Sequence, residues 1–565
     1  MTVVRRFLVI TTLVFLAAAG SAFASATQAY LTPGGTATGS CPAGTATAPN
    51  FAPGSSTGQI NNAASWGSGA GQIGPGTTLL VCGTFTNSTQ GGNVITVQDS
   101  GTSTAPIVIL FDTAGASLNS TGWWGSMPEG CAPCAGAITI NGYSYITING
   151  QNTGIIQNML AGTSGNTCAG GTCTQSPGGS GTTGIAVVNA ANILIENLTI
   201  RNMYANAGAS SSATDIGGQF STNISVYASS PITVVNNTLT NASIGIAASQ
   251  QGQSGETGGT SSCPTVLPVA SPGSGVCFGY NTLSDHHWHI SDGANGGLGT
   301  FNIYNNKISG FTNWQFPTSA YHTDGIITYG GANTVATNNI WNNTFTGDLG
   351  NGSATAFIYC TSDGGNDGSG SDCTIFNNVF AGDTALNSFI ATQSSAGDAA
   401  GQFENIYNNT FVNGGYDFYF FYNSGAPLHT VTMENNVMVG QSSTYFYVLS
   451  GGATFSASDN TFYGGTTGAY PYGPWNGYAT LSAWQSACSC DSGSQVTNPN
   501  LTSTYSLGTA ITGENLATSI GINALDFDIV GAGRPQTGTG NWSPGAYQYQ
   551  GAPPPSGVTV SAVQP

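Results

Sequence analysis

The sequence predicts an all-β solenoid, because one short motif recurs down the chain and its apolar residues favour strands. The motif, apolar-x-Asn-Asn-x-apolar, occupies residues 234–239, 303–308, 340–345, 375–380, 406–411 and 433–438, with looser copies at 195, 278 and 457. Its third position falls at 197, 236, 280, 305, 342, 377, 408, 435 and 459, so the steps are 39, 44, 25, 37, 35, 31, 27 and 24. A short minimum step with variable excess is typical of stacked coils with loop insertions. The apolar members are mostly β-branched or aromatic, as strands prefer.

The asparagines of this motif predict how the coils bend. Asn adopts the left-handed conformation readily, and an Asn at the same bend of every coil can hydrogen-bond the Asn above and below it. We expect this ladder at the third position, in Asn197, Asn236, Asn305, Asn342, Asn377, Asn408 and Asn435. With these features the sequence resembles the right-handed parallel β-helix, or pectate-lyase-like, superfamily. The resemblance implies three short parallel strands per coil, capped ends and loop insertions.

The two ends of the chain extend this resemblance. Residues 74–85 and 100–110 resemble the first coils of secreted β-helix proteins. Residues 526–549 contain Gly-Arg-Pro and Gly-Ala-Tyr and are similar to the closing segment of bacterial surface β-helix proteins. The predicted divisions are a signal peptide at 1–26, a low-complexity segment and cap at 27–73, the β-helix at 74–465, a closing segment at 466–549 and a Pro-rich tail at 550–565.

The first residues indicate export. Arg5 and Arg6 precede an apolar run at 7–19 and small-residue cleavage sites, which is the pattern of a general secretion signal. No later apolar run is long enough to cross a bilayer. We therefore expect a secreted or cell-surface protein, with association to the cell envelope left open.

The charge balance narrows the partners. The chain has 5 Lys and Arg against 23 Asp and Glu, for a formal net charge of −18. Nucleic acids and anionic membranes are bound through Lys and Arg, so neither is expected as a partner. A polysaccharide that carries carboxylates would be repelled unless divalent cations lie between. The expected partner is an extracellular polysaccharide that is either neutral or bridged by calcium.

Twelve cysteines in an exported chain indicate disulfides. Nearness in sequence suggests the pairs Cys168–Cys173, Cys263–Cys277, Cys360–Cys373, Cys41–Cys82 and Cys131–Cys134. Cys488 and Cys490 are separated by one residue, which is too close for an easy mutual bond. Such bonds would restrain the loop insertions entropically.

The densest patch of titratable groups lies at 285–292 and 321–325, which hold four of the five histidines. Strand alternation places Asp285, His287 and His289 on one side. If Ile290 faces the interior, this set faces outward toward a groove. The direction of Asp324 and its neighbour His322 stays open, because Ile326 and Ile327 allow two registers.

Lys307 is a second candidate. Its position is held by Thr or Val in the other copies, at 199, 238, 282, 344, 379, 410, 437 and 461. One cation thus interrupts an outward column, close to the histidine patch. Enzymes of the resembled superfamily use a Lys or Arg as the base in lyases and paired carboxylates in hydrolases.

The resulting candidate roles are as follows. His322-Thr-Asp324-Gly resembles the Asn-Thr-Asp-Gly of polygalacturonase-type hydrolases, although the Asp-Asp, Gly-His-Gly and Arg-x-Lys motifs of that group are missing. Acid and base candidates are Asp285 and Asp324, with His289 and His322 to position or transfer protons and Lys307 to contact substrate or act as base. Candidate sugar contacts are His287, Trp288 and Trp314.

Calcium is the one cofactor that the sequence suggests. Asp363, Asp367 and Asp372 lie among glycines between Cys360 and Cys373. Carboxylate oxygens on a closed loop are ligands that Ca²⁺ prefers. A solvated turn is the alternative.

Two functions remain open from the sequence. The first is a secreted protein that binds an extracellular polysaccharide in a groove near residues 285–324, with or without cleaving it as a lyase or glycoside hydrolase. The second is a non-catalytic adhesin or extracellular scaffold. The motifs leave enzyme status undecided.

Overall fold

A computed structural model describes most of the chain. The described residues are 25–88, 92–120, 124, 135–159, 182–203, 221–249, 263–269, 271–294, 300–310, 323–330, 335–347, 354–361, 370–382, 388–394, 397–399, 401–422, 429–441, 445–448, 453–465, 478–513, 516, 522–535 and 541–550. The predicted signal peptide and Pro-rich tail fall almost entirely outside these ranges.

Short strands make up nearly all of the regular structure. In chain order they are β1 Gln28–Leu31, β2 Asn50–Phe51, β3 Thr78–Val81, β4 Thr84–Asn87, β5 Ile95–Val97, β6 Ile107–Phe111, β7 Ser117–Ser120, β8 Ile138–Asn141, β9 Ile146–Asn149, β10 Ile155–Asn158, β11 Thr183–Val188, β12 Ile193–Glu196, β13 Thr199–Met203, β14 Thr222–Tyr227, β15 Ile232–Val235, β16 Thr238–Ser249, β17 Val276–Gly279, β18 Thr282–Ala294, β19 Thr300–Tyr304, β20 Lys307–Ser309, β21 Thr323–Gly330, β22 Val335–Trp341, β23 Thr344–Thr346, β24 Ala354–Thr361, β25 Gly370–Phe376, β26 Val379–Ala381, β27 Ser388–Ser394, β28 Phe403–Tyr407, β29 Thr410–Val412, β30 Phe418–Tyr422, β31 His429–Glu434, β32 Val437–Val439, β33 Phe446–Val448, β34 Ala453–Ser458, β35 Thr461–Tyr463 and β36 Gln495–Val496. One α-helix, α1, spans Leu481–Cys488, and 3₁₀ turns lie at Ala63–Ser65 and Asn523–Asp526. In the described part of the chain, no helix is both long and apolar enough to cross a membrane.

The strands form an all-β parallel solenoid, as the repeats predicted. The first sheet has 14 strands in the order β2-β1-β3-β6-β9-β12-β15-β17-β19-β22-β25-β28-β31-β34. The other 22 strands form a second continuous set, in which the long strands β16 and β18 each run through two faces of the coil. The motif copies are in register: Ile303 pairs with Ile340, and Ile340 with Ile375.

The interior is a set of vertical side-chain columns. One column stacks Phe345, Phe380 and Phe411, with ring centroids 4.8 Å apart at both steps. Phe357 and Phe389 stack beside them at 5.5 Å. All five rings are fully buried, and each contributes roughly 1.5–3 kcal/mol through its burial.

Each coil bends twice through the left-handed region. The first bend is the third motif position, where φ lies between 52° and 60° at 197, 236, 280, 305, 342, 377, 408, 435 and 459. The second follows five residues later, at Asn202, Asn241, Asp285, Gly310, Gly347, Gly382, Asn413, Gly440 and Gly464, all with positive φ. Asn, Asp and Gly adopt this conformation at least cost.

The continuous hydrogen-bonded ladder runs through the second asparagine of the motif, which corrects the predicted column by one residue. Side-chain amides link Asn237, Asn281, Asn306, Asn343, Asn378, Asn409, Asn436 and Asn460 in succession, with N···O distances of 2.9–3.2 Å. Asn460 then donates to Asp491 at 3.1 Å, which ends the ladder. The first asparagine uses its positive φ to make the bend, so the next side chain enters the interior. Among the predicted residues, Asn236 bonds Asn197 at 2.6 Å.

Both ends of the solenoid are closed by packed segments. At the start, β1 pairs with β3, so the coils begin well before residue 74. Trp66 is buried and donates to the carbonyl of Ile60 at 2.6 Å. At the other end, Leu481 and Trp484 of α1 pack onto the core.

The segment after α1 returns along the side of the solenoid. We call its described residues from 499 to 550 the C-terminal strap. It buries Val379, Thr410 and Val437, which face outward and are 0–2% exposed. Arg534 fastens it by donating to Asn377 Oδ1 at 2.8 Å and to the carbonyls of Ser543 and Gly545 at 3.1 Å. The predicted closing segment therefore covers a flank as well as an end.

Four disulfides lie in the described part of the chain: Cys41–Cys82, Cys263–Cys277, Cys360–Cys373 and Cys488–Cys490. The expectation that Cys488 and Cys490 avoid each other was wrong. Ser489 between them is left-handed, and this brings their Cα atoms to 5.1 Å. The pairs predicted for Cys168–Cys173 and Cys131–Cys134 lie outside the described residues.

Candidate functional site

His286 and His289 lie inside the solenoid and His287 is also fully buried, so the expected outward direction of this patch is wrong. His286, His287 and His289 are 0% exposed. His286 Nε2 lies 2.7 Å from Asn223 Oδ1, His289 Nε2 lies 3.0 Å from the Ser309 carbonyl oxygen, and the two rings meet edge to face at 5.0 Å. These side chains are closed to a polymer in solution.

The alternation argument failed at Asp285. Its φ of 59° bends the chain inside β18, so residues before and after it do not share one pleat. The register then aligns His289 with Gly325 and Phe357, and Phe357 belongs to the hydrophobic core. Position 289 and the adjacent Ile290 therefore both face the interior.

Burial sets the protonation of these histidines. Loss of water around the ring lowers the pKa of His289 from 6.5 to about 4. The same burial, with His289 as a neighbour, lowers the pKa of His286 well below its usual value. Both imidazoles are neutral at pH 7.

The two predicted acid and base residues, Asp285 and Asp324, occupy positions that shape or stabilise the backbone. Asp285 occupies the second bend of its coil, where other coils have Asn or Gly. Asp324 is 0% exposed and accepts the Ala356 N–H at 3.1 Å. Trp288 is half-buried and packs against the outward-facing cluster that contains Ile327 and Tyr359. The acid, base and sugar-contact roles stay predictions; His322 and Trp314 lie outside the described residues.

Lys307 is exposed on the outward column, as expected, between its cross-strand partners Thr282 and Thr344. It is the one site residue of the sequence analysis that the described structure presents freely to solvent.

Of the three aspartates predicted to bind calcium, Asp372 is the one that lies within the described residues. Its Oδ1 atom accepts the Phe403 N–H at 3.0 Å, and burial raises its pKa to about 6. Asp363 and Asp367 lie outside the described residues. Within the described ranges, no three His, Cys, Asp or Glu side chains gather closely enough to hold a metal.

The structure instead shows a cleft of about 690 Å³ on the flank where the first bends are stacked. Its floor is Tyr280, Asn305, Trp341 and Asn342. One wall carries Thr265 and Val266; the other is the strap loop, with Asn523, Ala524, Phe527, Asp528, Ile529, Val530 and Gly531. The cleft lies on the coils predicted to carry the groove but uses different residues.

The cleft walls are firmly held. The first wall is tied by Cys263–Cys277, by Tyr304 donating to the Pro264 carbonyl at 2.6 Å and by Tyr280 donating to the Thr265 carbonyl. In the second wall, Asp528 is 1% exposed and accepts three backbone N–H groups, from Val530, Ala532 and Gln548, at 2.8–3.0 Å. A preformed site loses little entropy when a ligand binds.

Apolar surface is concentrated here. Six large apolar side chains are exposed among the described residues, and three of them, Val266 (73%), Phe527 (53%) and Val530 (70%), line this cleft. Exposed apolar groups gathered around polar ones typically mark a binding site.

The cleft floor also has an unfilled acceptor. Asn342 Oδ1 makes no hydrogen bond within the described structure, whereas the equivalent Asn377 Oδ1 accepts from Arg534 one coil further on. The Asn342 oxygen is recessed, but rotation of the terminal amide, a soft torsion, can turn it toward the cleft. A hydroxyl in the cleft could donate where Arg534 does in the next coil.

Sequence reasoning missed most of this cleft. Asn305 and Asn342 were assigned only to the ladder. A usable signal was Tyr280, which replaces Asn in the third motif position and places an aromatic ring on the flank. The strap wall left no signal, because nothing in the sequence connects residues 523–531 with residues 280–342.

No protein-family model matches this chain, and no curated protein matches it. Among solved structures it is similar to pectate lyase Pel9A, with 14% identity over 93% of this chain and 97% of that one and a TM-score of 0.37. It is also similar to an exopolygalacturonase from Thermotoga maritima (10% identity, 72% and 86% covered, TM-score 0.35) and to the PL6 family alginate lyase AlyGC (12%, 77% and 52%, 0.38). These likenesses concern the fold. The stacked all-parallel coils of this chain form the all-β parallel solenoid that its repeats predicted.

Proposed function

We propose that this protein is an extracellular polysaccharide-binding protein and that the flank cleft is its binding site. The observation that supports this is that, among the described residues, half of the exposed large apolar side chains meet an amide-lined floor in one preformed cleft. Sugar rings have apolar faces and hydroxyl edges, so they can pack on Val266, Phe527 and Val530 while hydrogen-bonding Asn305 and Asn342.

The charges favour an uncharged polysaccharide. Asp528 is the one charged residue lining the cleft in the described structure, and its oxygens are engaged by backbone N–H groups. The net charge of −18 repels polyanions. Lys307 is exposed two residues beyond Asn305 but does not belong to the cleft lining.

The scarcity of carboxyl groups in the described lining favours binding over cleavage at this cleft. Cleavage of a glycosidic bond needs an acid and a base, usually two carboxyl groups, near the bond. Among the described lining residues only Asp528 has a carboxyl group, and it stabilises its own loop. A non-catalytic adhesin or matrix-binding role, the alternative left open by the sequence, is therefore the preferred form of the proposal.

The test is a binding screen of the full exported chain against immobilised neutral and acidic polysaccharides, with and without a calcium chelator. We expect a neutral polysaccharide to bind regardless of chelator, and the exposed-site variants Phe527→Ser and Val266→Ser each to weaken it about tenfold, the equivalent of about 1.4 kcal/mol. Val496→Ser, which removes an equally exposed apolar side chain away from the cleft, is the matched control. Unchanged binding in both cleft variants would reject the site.

A further inference from the structure

The cleft does not end at the strap loop. On the other side of Val530 lies a second depression of about 460 Å³, lined by Thr502, Ser506, Leu507, Gly508, Tyr547, Gln548, Tyr549 and Gln550. Asp528 and Val530 line both depressions. We call the flank cleft described above the floor cleft, and the second depression the strap cleft. The side chain of Val530, which is 70% exposed, stands between them.

The strap cleft has the same mixture of groups as the floor cleft. Tyr547 and Tyr549 are half-buried, and Thr502 and Gln550 are exposed. Its described lining residues include no lysine or arginine. A ligand that suits one depression therefore suits the other.

The two depressions follow the long axis of the solenoid. The floor cleft begins at Tyr280, and the strap cleft lies over the coil of Val437, which contacts Leu507 and Tyr549. The register connects these coils through Asn305, Asn342, Asn377 and Asn408, which makes five steps. At about 4.8 Å per step the path is on the order of 24 Å long, which is the length of several sugar units.

From this continuity we infer that the ligand is a linear, uncharged oligosaccharide segment that crosses Val530 and occupies both clefts at once. This inference rests on the proposed function and adds a ligand length, a direction along the solenoid and a second set of contacts. A chain end or a short branch would fill only one cleft.

The experiment measures affinity against chain length by titration calorimetry with the full exported protein. The probes are cello-, xylo- and manno-oligosaccharides of two and six units. We expect the six-unit member of one series to bind at least tenfold more tightly than the two-unit member. Tyr549→Ala should remove that gain, whereas Phe527→Ser should weaken both lengths.

The outcomes separate the two claims. If one series binds but two and six units have equal affinity, the extended path is wrong and the floor cleft stands. If no neutral series binds, the proposed function itself fails. Tyr549→Ala could also abolish binding at both lengths by releasing the strap. In that case the exposed substitution Gln550→Ala decides between the outcomes. Loss of the length dependence alone supports the extended path, and an unchanged length dependence overturns it.

Discussion

Two stretches of the same flank differ in how far the strap covers them and in which residues occupy the outward-facing column. In the coils of Tyr280, Asn305 and Asn342 the strap leaves a cleft on the flank, and the outward column beside it carries Thr282, Lys307 and Thr344. In the coils of Asn377, Asn408 and Asn435 the strap covers the flank, and the column carries Val379, Thr410 and Val437. The column therefore carries valine at two of the three positions beneath the strap, and it carries the cation Lys307 where the strap does not cover it.

The interiors of the two stretches differ as well. Beneath the covered coils the rings of Phe380, Phe389 and Phe411 pack within 4.8–5.9 Å of one another. In the open coils His289 takes the register position of Phe389 and meets His286, while Leu283, Ile308 and Phe345 keep the Phe380 column apolar. The solenoid thus keeps one backbone register while exchanging apolar packing for buried polar groups, and the open, more polar stretch is where we place the ligand.

The largest expected loss of stability comes from a substitution beneath the strap on the covered flank. Val437→Asp places a carboxylate beneath the strap, where it has neither water nor a cation, and should cost about 4–5 kcal/mol of local stability. The matched change in the open stretch, Thr282→Asp at an exposed position of the same column, should stay within about 0.5 kcal/mol. Amide hydrogen exchange of strap peptides measures both; equal effects would mean that the strap does not cover this column.

Arg534→Leu should release the strap with a smaller cost. The guanidinium is buried, and the change removes its three hydrogen bonds and leaves Asn377 Oδ1 without a donor, while the Ser543 and Gly545 carbonyls still accept from Asn408. Because hydrogen bonds to a charged group are the stronger ones, we expect a loss of about 3–4 kcal/mol in strap protection. Arg201→Gln, a half-exposed arginine bonded to Gln157 at 2.7 Å, is the control and should cost less than about 1 kcal/mol. Limited proteolysis after position 499 provides the measurement, and an uncleaved Arg534→Leu strap would contradict the assigned fastening role.

Acid should weaken the open coils selectively. The pKa of His289 is about 4 in the folded protein against 6.5 unfolded, so the folded state binds fewer protons. The contribution of His289 to stability is complete above about pH 6.5 and is lost as the pH drops toward 4, by roughly 3 kcal/mol. Buried carboxyl groups such as Asp292 and Asp417, whose pKa values are raised by burial, act in the opposite direction. His289→Gln should flatten this part of the pH profile of thermal unfolding. Identical profiles for the wild type and His289→Gln between pH 6.5 and 4 would contradict burial of a neutral imidazole.

Lys307→Thr should have the smallest effect, because it restores the residue common in that column. We expect a change within about 0.5 kcal/mol in unfolding free energy and less than a threefold change in affinity for a neutral glycan. Loss of binding by tenfold or more would show that the ligand carries negative charge, which the composition argues against.

The stacked coils could be predicted because every copy of the motif carries the same signal. Details that depend on a single residue could not. Asn305 and Asn306 look equivalent in sequence, yet only the second points inward, since the first makes the bend. Asp285 reads as part of a strand, yet its bend turns His289 into the core. The cleft needs Phe527 and Val530 beside Asn342, and this contact between distant segments exists only once the strap has folded back.

The most direct test of the central claim is a crystal structure of the full exported chain with a neutral six-unit oligosaccharide from the series that binds. We predict sugar density between Val266 and Phe527, above Asn305 and Asn342, and continuing past Val530. Density over Trp288 and Asp324 instead, with the floor cleft and the strap cleft empty, would contradict the account.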